Sequence, residues 1–303
     1  RVVSTTKTDT LRALQTVSMT GYVENSKQDT VTDFNGIVHV AIYDKMQQVT
    51  TRDNDEPNPQ KKITYTYNDY PNLLFMGSTP VIDGRFTFEF RMPKDINYIY
   101  GNGRIVYCAI DTTADREGIG HNHGFIVGGS DTAAMRIQDT IGPNLFIYLD
   151  NPSFQSGGKT SENPHFFAII DDENGINTIG NGIGHDLQLM IDNDMKQTYV
   201  LNEYFQSNQG SYKQGSVSYT LPTQKDGQHF LQFRAWDMLN NSSTARLSYQ
   251  VVKGLNPQLY SLKIYPNPST TGDLITIAVD TDRPDERLLS TLDVYSITGQ
   301  RVV

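Results

Sequence analysis

The chain has 303 residues, of which 37% are hydrophobic, and a formal net charge of −9. This length exceeds what one hydrophobic core usually supports, so we expect two or three domains. Lysine and arginine form no basic patch along the sequence, which disfavours nucleic acid as a partner. No apolar run reaches the roughly 18 residues that a membrane-spanning helix needs, so the sequence predicts no transmembrane segment.

The only cysteine is Cys108, so the chain cannot form an internal disulfide. Cys108 lies in an apolar, strand-like run at 104–110, which indicates a buried structural thiol rather than a nucleophile. The 17 tyrosines and 13 phenylalanines favour strands. Helical periodicity is nearly absent, and short apolar or alternating runs recur between Gly, Asn, Asp and Pro. This pattern predicts an all-β chain of β-sandwiches.

We predict a linker over residues 1–13, with a weak helical candidate at 10–14, and a first β-sandwich domain over 14–140. Polar segments at 51–62 and 114–122 are interpreted as loops. The predicted strands of this domain are 16–24, 36–43, 64–67, 73–81, 85–92, 104–110 and 124–127.

Asp83-Gly84 stands between two of these strands and predicts a hairpin turn. In the strand that follows, Phe86, Phe88 and Phe90 alternate with polar residues. We therefore expect all three rings to face one core.

Residues 141–253 predict a second, immunoglobulin-like β-sandwich domain, because seven short strands in about 110 residues suit that fold. Alternation in the strand that contains Trp236 puts Leu231, Phe233 and Ala235 on one face, and neither face is cleanly polar. We expect this strand to be central. The predicted strands are 145–149, 166–170, 186–191, 198–201, 215–221, 228–236 and 244–252.

Residues 254–303 contain three short strand-like runs, at 262–265, 274–279 and 292–303. Three such strands bury too little area to fold independently. This tail is interpreted as the truncated start of a further domain.

No arrangement of residues predicts catalysis. The histidines give Cys108 no partner, and no Gly-x-Ser-x-Gly or His-Glu-x-x-His motif occurs. His121 and His123 supply two imidazoles, whereas a zinc site needs three or four ligands, so we interpret them as part of a polar loop. The glycine-rich residues 180–184 lack the strand and helix of a phosphate-binding loop, and we predict a tight turn with positive φ.

One acidic cluster is a candidate for a structural calcium ion, since carboxylates in a loop suit Ca²⁺. The alternative is that these side chains cap turns at the end of the sandwich. We expect no other cofactor. The candidate ligands are Asp171, Asp172, Glu173 and Asp186.

Two segments of the tail resemble the C-terminal sorting domain of type IX secretion cargo in Bacteroidetes. They are Leu262-Lys-Ile-Tyr-Pro-Asn-Pro-Ser269 and Leu292-Asp-Val-Tyr-Ser-Ile-Thr-Gly299. Ser-Ile-Thr-Gly stands where that family often has Asp-x-x-Gly.

Three upstream strings resemble the region that follows the peptidase domain in the type IX secretion C-terminal signal peptidases, a gingipain-like sortase family. The first string is Gly84-Arg-Phe-Thr-Phe-Glu-Phe-Arg-Met-Pro-Lys-Asp-Ile-Asn97. The second is Asp172-Glu-Asn-Gly-Ile-Asn-Thr-Ile-Gly-Asn-Gly-Ile-Gly-His-Asp186, and the third is Phe233-Arg-Ala-Trp-Asp-Met-Leu-Asn-Asn-Ser-Ser243.

The catalytic cysteine and histidine of that family lie upstream of this region, and no position here matches them. The resemblance implies a non-catalytic scaffold of a secreted sortase at the bacterial outer-membrane surface. Its implied partners are cargo sorting domains and other type IX secretion components.

Two alternatives remain open. The chain could belong to another gingipain-like protease or a surface adhesin. It could also be a carbohydrate-binding module, for which Tyr65, Tyr67 and Tyr70 are the best platform unless their rings pack onto a core.

Overall fold

The computed structural model describes residues 1–5, 9–136, 138–179, 184–270, 272, 274–283 and 289–302. Within these ranges the chain is all β, as predicted, and has no α-helix. Three 3₁₀ turns occur, at Ala134–Arg136, Met195–Gln197 and Asn202–Tyr204. No helix among the described residues is long and apolar enough to cross a membrane.

The N-terminal part of the chain forms three sheets and a separate two-stranded ladder. Its strands are β1 (Val2–Ser4), β2 (Thr10–Ala13), β3 (Thr16–Val23), β4 (Gly36–Tyr43), β5 (Gln47–Thr50), β6 (Thr66–Asp69), β7 (Leu73–Val81), β8 (Arg85–Arg91), β9 (Gly101–Asn102), β10 (Arg104–Asp111), β11 (Arg116–Asn122) and β12 (Ile126–Ser130). The sheet orders are β1-β3-β8, β11-β10-β4-β7 and β2-β12-β9, and β5 pairs with β6.

The first core lies between these sheets. Phe86, Phe88 and Phe90 are all buried in it, which confirms the prediction from their alternation. The ring of Phe90 stacks on Phe75 at 5.0 Å between centroids. Because every second residue of β8 reaches the core, the intervening residues remain at the surface.

Asp83 and Gly84 form the predicted tight turn, with φ angles of 50° and 71°. The amides of Ile82 and Arg85 each donate to the other residue's carbonyl oxygen at 2.9 Å. The turn does not extend into a two-stranded hairpin, because β7 pairs with β4 while β8 pairs with β3. The turn therefore connects two sheets across the core.

Three local predictions in this region are wrong. Residues 1–13 are not only a linker, because they supply β1 and β2, with Val2 and Leu11 buried. The helical candidate at 10–14 is a strand that pairs parallel with β12. The loop predicted at 114–122 contains β11, whose glycines face β1: a Cβ on Gly120 would lie 2.0 Å from the carbonyl oxygen of Val2.

The second part of the chain forms two packed sheets around a separate core. Its strands are β13 (Asn144–Leu149), β14 (Gly158–Thr160), β15 (His165–Asp171), β16 (Ile176–Asn177), β17 (Gln188–Ile191), β18 (Thr198–Val200), β19 (Phe205–Ser207), β20 (Gln214–Thr220), β21 (Gly227–Asp237) and β22 (Ser242–Val251). One sheet has the order β13-β15-β20-β19, and the other has the order β14-β22-β21-β17-β18, with β16 also paired to β21.

Strand β21 is central, as predicted. It lies between β22 and β17, and Leu231, Phe233 and Ala235 are fully buried. Trp236 and the other residues of its face are only half-buried.

Beyond residue 254 the described residues form one two-stranded ladder, β23 (Leu259–Tyr265) with β24 (Thr276–Thr281). Apolar side chains such as Leu262, Ile264 and Val279 are exposed on it. The base of the ladder contacts the second sandwich, where Asn151 donates to the Tyr260 hydroxyl at 2.8 Å. The domain boundaries near residues 140 and 253 remain predictions.

Candidate functional site at the junction of the two sandwiches

Backbone hydrogen bonds join the two sandwiches where β8 and β21 end. The amide of Lys94, just after β8, donates to the carbonyl oxygen of Met238 at 3.2 Å. The amide of Met238 in turn donates to the carbonyl oxygen of Gly175 at 2.9 Å. Segments from both sandwiches thus meet in a single hydrogen-bonded contact, here called the junction.

Asp95 of the first sandwich binds two side chains of the second. One carboxylate oxygen accepts a hydrogen bond from the side-chain amide of Asn240 at 2.9 Å, and the other accepts one from Nδ1 of His185. All three side chains are partly buried. A single carboxylate therefore links two loops of the second sandwich to the first.

Trp236 packs beside the hydrogen bond between Asp95 and His185. Its ring lies 4.3 Å from the His185 ring, and the Arg234 guanidinium lies 4.1 Å from its centroid on β21. The indole Nε1 is buried and makes no hydrogen bond. Ring contacts and the Arg234 cation–π interaction therefore hold Trp236 at the junction.

A second series of hydrogen-bonded polar side chains crosses the junction. Arg91, at the end of β8, donates to the Asn174 side-chain oxygen, and the Asn174 amide donates to Asp139 at 2.5 Å. Asp139 belongs to the segment that connects the sandwiches, and its carbonyl oxygen accepts from Asn241 at 3.1 Å. Both sandwiches and their connecting segment take part in the same network.

Three carboxylates gather within this network, and here they are called the acidic triad: Asp139, Asp172 and Asp237. Their nearest oxygens all lie within 4.8 Å of one another. Asp237 is fully buried, and its side chain accepts from the Asn241 amide at 2.8 Å and from the backbone amides of Leu239 and Asn241.

The surroundings of the acidic triad raise the pKa values of two of its members, Asp172 and Asp237. Burial, and after it the carboxylates of Asp237 and Asp139, raises the pKa of Asp172 to about 6. Burial also raises the pKa of Asp237, although its hydrogen bonds to Asn241 and Leu239 oppose the shift. Such a cluster can be neutralised by a proton or by a hard cation such as Ca²⁺, which prefers oxygen ligands.

Of the four predicted calcium ligands, only Asp172 belongs to the acidic triad. Asp171 accepts from the Asn144 amide at 2.8 Å, and Asp186 accepts from the Asn202 amide at 2.9 Å. Glu173 is exposed. The calcium prediction itself stays untested.

No pattern in the sequence indicated Asp139 and Asp237 as companions of Asp172. Asp237 comes directly after the predicted strand 228–236 and precedes Asn240 and Asn241, a pattern typical of a turn. The sequence separations between these three aspartates match no metal-ligand motif. Only the folded structure brings the three side chains together.

Most of the glycine-rich residues 180–184 lie outside the described residues. Gly184 is described and has a φ of 86°, the positive value predicted for the turn. His121 and His123 stand at the end of β11, not in a long polar loop, with their rings 5.2 Å apart. Burial, and then the neighbouring His121 and Arg104, lowers the pKa of His123.

The outer surface of the sheet β11-β10-β4-β7 is here called the apolar face. In the register of the sheet, Ile119, Cys108 and His39 form one row, and His121, Val106, Ala41 and Met76 form the next. Cys108 is half-buried on this face and not in the core, which corrects the prediction of a buried thiol. The apolar residues on this surface include Ile37, Ala41, Tyr43, Leu73, Met76, Pro80, Val106, Cys108, Ile110 and Ile119.

The outer surface of the sheet β1-β3-β8 is different in character, and here it is called the polar face. Alternation along β3 and β8 exposes Thr16, Ser18 and Thr20 opposite Arg91, Glu89 and Thr87. An antiparallel sheet with one solvated side normally looks like this. The apolar face belongs to the same domain, but its outward side chains are mostly apolar. Ile119 and Met76 are exposed on it.

The three candidate tyrosines do not form one platform. Tyr65 and Tyr67 are 68% and 49% exposed beside the β5–β6 ladder, so they do not pack onto the core. Tyr70 is half-buried, with Arg104 over its ring at 5.6 Å and its hydroxyl 3.4 Å from His123 Nδ1.

Comparison with solved structures gives a likeness that extends along nearly the whole chain. Dimeric latent PorU from Porphyromonas gingivalis is 29% identical over 98% of this chain and 27% of that chain, with a TM-score of 0.49. This chain thus spans 27% of the PorU chain's length.

Two other solved structures are more distant. Escherichia coli alpha-2-macroglobulin activated by porcine elastase is 10% identical over 87% of this chain and 23% of its own, with a TM-score of 0.27. The teleost fish polymeric Ig receptor ectodomain is 10% identical over 84% of this chain and 100% of its own, with a TM-score of 0.21. No protein-family model and no curated protein matches this chain.

Proposed function

We propose that this chain is a non-catalytic interaction region of a secreted, outer-membrane-surface sortase that removes C-terminal signals from type IX secretion cargo. One observation supports this proposal above the others. The three strings that resemble the sortase family are far apart in sequence, yet each supplies residues to the junction: Asp95 and Arg91 from the first, His185 and Asn174 from the second, and Asn240 from the third.

All three strings that resemble the sortase family thus contribute to the same structural contact, the junction. Residues that hold two sandwiches together must match one another, whereas surface residues elsewhere are free to vary. The junction would fix the orientation of the sandwiches and make the region a spacer between a peptidase domain and its surroundings. The proposal names the same class of protein as latent PorU, but its support is the sequence strings and their contacts.

The apolar face supplies the interaction part of the proposal. Contiguous exposed apolar surface on a soluble domain marks a contact with another protein. Its centre carries no Lys, Arg, Asp or Glu, since Glu117 and Arg104 lie in the end rows of the sheet. We propose that a cargo sorting domain docks on this face.

The test measures capture of a purified sorting domain that carries the Tyr-Pro-Asn-Pro motif. We expect the whole chain to bind it without cleaving it, and Ile119→Lys to weaken binding because a charge enters the apolar face. Thr87→Lys places the same charge on the polar face and serves as the control. Cleavage by the isolated chain would refute the non-catalytic role, and equal binding by both variants would refute docking at the apolar face.

A second candidate function is carbohydrate binding through Tyr65 and Tyr67, whose exposed rings favour it. Residues two apart on an extended segment share a face and can stack on successive sugar rings. A glycan array probed with the whole chain and with Tyr65→Ala tests this function. Signal lost in the variant would support it, and absence of signal from the wild type would exclude it.

A further inference from the structure

Strands β21 and β22 present a surface of the second sandwich that points away from its core, here called the arginine face. Side chains alternate along both strands, so the residues between the buried ones share this surface. The register places Arg246 opposite Gln232, and Arg234 lies two residues further along β21. The outward residues of the two strands are Gln228, Phe230, Gln232, Arg234, Trp236, Ser242, Thr244, Arg246, Ser248 and Gln250.

The arginine face is positively charged, although the chain has a net charge of −9. Lys159 of β14 lies on it together with Arg234 and Arg246, because Lys159 pairs with Gln250. Within the strands β14, β21 and β22, all of whose residues the structure describes, no aspartate or glutamate occupies an outward position. This surface therefore has the opposite charge to the chain as a whole and attracts anionic partners.

Two aspartates flank the arginine face just outside the ends of β17, and both are already bound. Asp192 accepts a hydrogen bond from Nδ1 of His229 at 2.6 Å, and Asp186 accepts one from the Asn202 amide at 2.9 Å. Neither arginine of the face forms an ion pair with a carboxylate among the described residues. Both guanidinium groups are therefore available to the carboxylates of a ligand.

Contacts within the sheet orient the two guanidinium groups. Arg246 donates through Nε to the Gln232 side-chain oxygen at 3.0 Å. Arg234 lies over the Trp236 ring at 4.1 Å, and one of its terminal nitrogens lies 3.5 Å from the Ser242 hydroxyl. The terminal nitrogens of Arg246 make no hydrogen bond within the described part of the chain. An oriented guanidinium can bind a carboxylate through two parallel hydrogen bonds and loses little side-chain freedom when it does so.

The spacing of the two arginines fits an extended polypeptide. Diagonal neighbours on adjacent antiparallel strands lie about 7–8 Å apart. Side chains two residues apart on an extended chain share one side and lie roughly 6.8 Å apart. Half-buried Phe230 and Met190, next to Gln232 on β21 and opposite it on β17, add apolar contact area. Aromatic residues, methionine and arginine are the types in which protein–protein interfaces are enriched.

We propose that the arginine face binds an extended acidic polypeptide segment whose acidic side chains stand at alternate positions. Two carboxylates of the segment pair with Arg234 and Arg246, and Phe230 and Met190 contact the residues near them. A nucleic acid would need a larger cluster of basic residues. This inference does not rest on the proposed function, because the apolar face belongs to the first sandwich.

The test titrates the whole chain into a fluorescein-labelled octapeptide that alternates glutamate with threonine. We expect saturable binding in fluorescence polarisation at low ionic strength, and weaker binding as salt is added. Arg234→Gln and Arg246→Gln should each weaken binding by about fivefold, since each removes one solvent-exposed charge pair. Arg85→Gln, exposed at the start of β8 in the first sandwich, is the matched control.

Two further measurements locate the site and check that the variants are folded. Trp236 is the only tryptophan, so unlabelled peptide should change the intrinsic fluorescence of the wild type. Arg246→Glu should bind a lysine–threonine octapeptide more tightly than the wild type does, a gain that an unfolded variant would not show. A wild type that binds the glutamate peptide without a change in Trp236 fluorescence would place the site elsewhere and contradict the proposal.

An acidic sugar is the competing ligand, and tetragalacturonic acid tests it because it carries the same number of carboxylates as the peptide. Displacement of the labelled peptide at a lower concentration than unlabelled peptide requires would assign the face to an acidic glycan and overturn the proposal. A higher required concentration supports it. The proposal also fails if no saturable binding occurs at low salt, if a glutamine–threonine peptide binds equally well, or if Arg85→Gln loses as much binding as Arg246→Gln.

Discussion

At the scale of single residues, the junction concentrates the unusual chemistry of this protein. Asp172 illustrates the cause, because its carboxyl is partly buried and faces two other carboxyls. Its side chain also accepts a hydrogen bond from the backbone amide of Asn174 at 2.7 Å, which holds it in place. An asparagine at the same position would retain that acceptor and remove the charge.

We expect Asp172→Asn to stabilise the protein at pH 8 and to change it little at pH 4. The folded-state pKa of Asp172, about 6, lies above the ordinary value of 3.8, so the folded protein holds the proton more tightly than the unfolded chain. Its contribution is therefore most favourable below pH 4 and is lost as pH rises through 6. The gain at pH 8 should not exceed about 2 kcal/mol, since partial exposure screens the charge. Chemical denaturation across this pH range measures it, with exposed Glu173→Gln as the control, and an unchanged or negative difference at pH 8 would contradict the expectation.

Calcium is the competing way to neutralise the acidic triad. Because Asn174 and Asn241 already donate to these carboxylates, we expect millimolar Ca²⁺ to leave the melting midpoint at pH 8 unchanged. A bound ion stabilises the folded state by mass action. A calcium-dependent rise that disappears in Asp172→Asn would show that the triad is a metal site after all.

At the scale of elements, alternation decides which residues reach the core, and glycine decides where strands cross. β11 was predicted as a loop because the segment 114–122 is polar, and it contains Gly118 and Gly120. In the folded protein both glycines face inward, and at Gly120 the backbone of β1 passes too close for a side chain. Glycine in a strand often marks such a close approach of another backbone.

Gly120→Ala should therefore displace β1, since its Cβ would lie 2.0 Å from the Val2 carbonyl oxygen. We expect a lower melting midpoint and faster hydrogen exchange in β1 than in β4. Gly124→Ala is the control, because its nearest contact is a side-chain oxygen at 3.2 Å. Equal midpoints for the two variants would show that β1 does not constrain β11.

The alternation of β8 leads to a second expectation at this scale. Phe90 is fully buried and stacks on Phe75, so Phe90→Ala should cost about 3–5 kcal/mol of unfolding free energy. Thr87→Ala, on the polar face of the same strand, should change it by less than about 1 kcal/mol. Urea unfolding compares the two, and similar losses would mean that β8 is not anchored through its phenylalanines.

At the scale of the whole molecule, the junction determines whether the sandwiches behave as one unit. The contacts of Asp95 with His185 and Asn240, and of Arg91 with Asn174, all cross it. Tyr212 of the second sandwich also belongs to the first hydrophobic core. Such shared contacts couple the unfolding of neighbouring domains.

We expect the wild type to show one calorimetric transition for both sandwiches, and Asp95→Ala with Arg91→Ala to separate it into two. The double variant removes the side-chain hydrogen bonds of Asp95 and of Arg91 across the junction. It leaves the hydrophobic core of each sandwich intact. Asp194→Ala with Lys196→Ala, in an exposed turn of the second sandwich, is the control pair. Two transitions in the wild type would show that the junction does not couple the sandwiches.

Local chemistry in the sequence was sufficient for part of this description. It predicted the all-β class, the approximate positions of most longer strands, the Asp83-Gly84 turn, the inward Phe86, Phe88 and Phe90, and the central place of β21. These features depend on the alternation of side chains along a strand and on the backbone preferences of turn residues. Residues that are close in sequence determine both. The short strands β1, β14 and β16 were missed, because two or three residues carry no period.

Only the tertiary structure decided what surrounds each face and end of those strands. Alternation alone could not show that Cys108 and Ile119 lie on an uncovered sheet, or that Asp139, Asp172 and Asp237 meet at one junction. The same limit applies to the arginine face, because alternation could not show which side of β21 remains outside the core. A strand pattern specifies which side chains share a face, whereas the partner of that face is fixed by contacts between residues far apart in the chain.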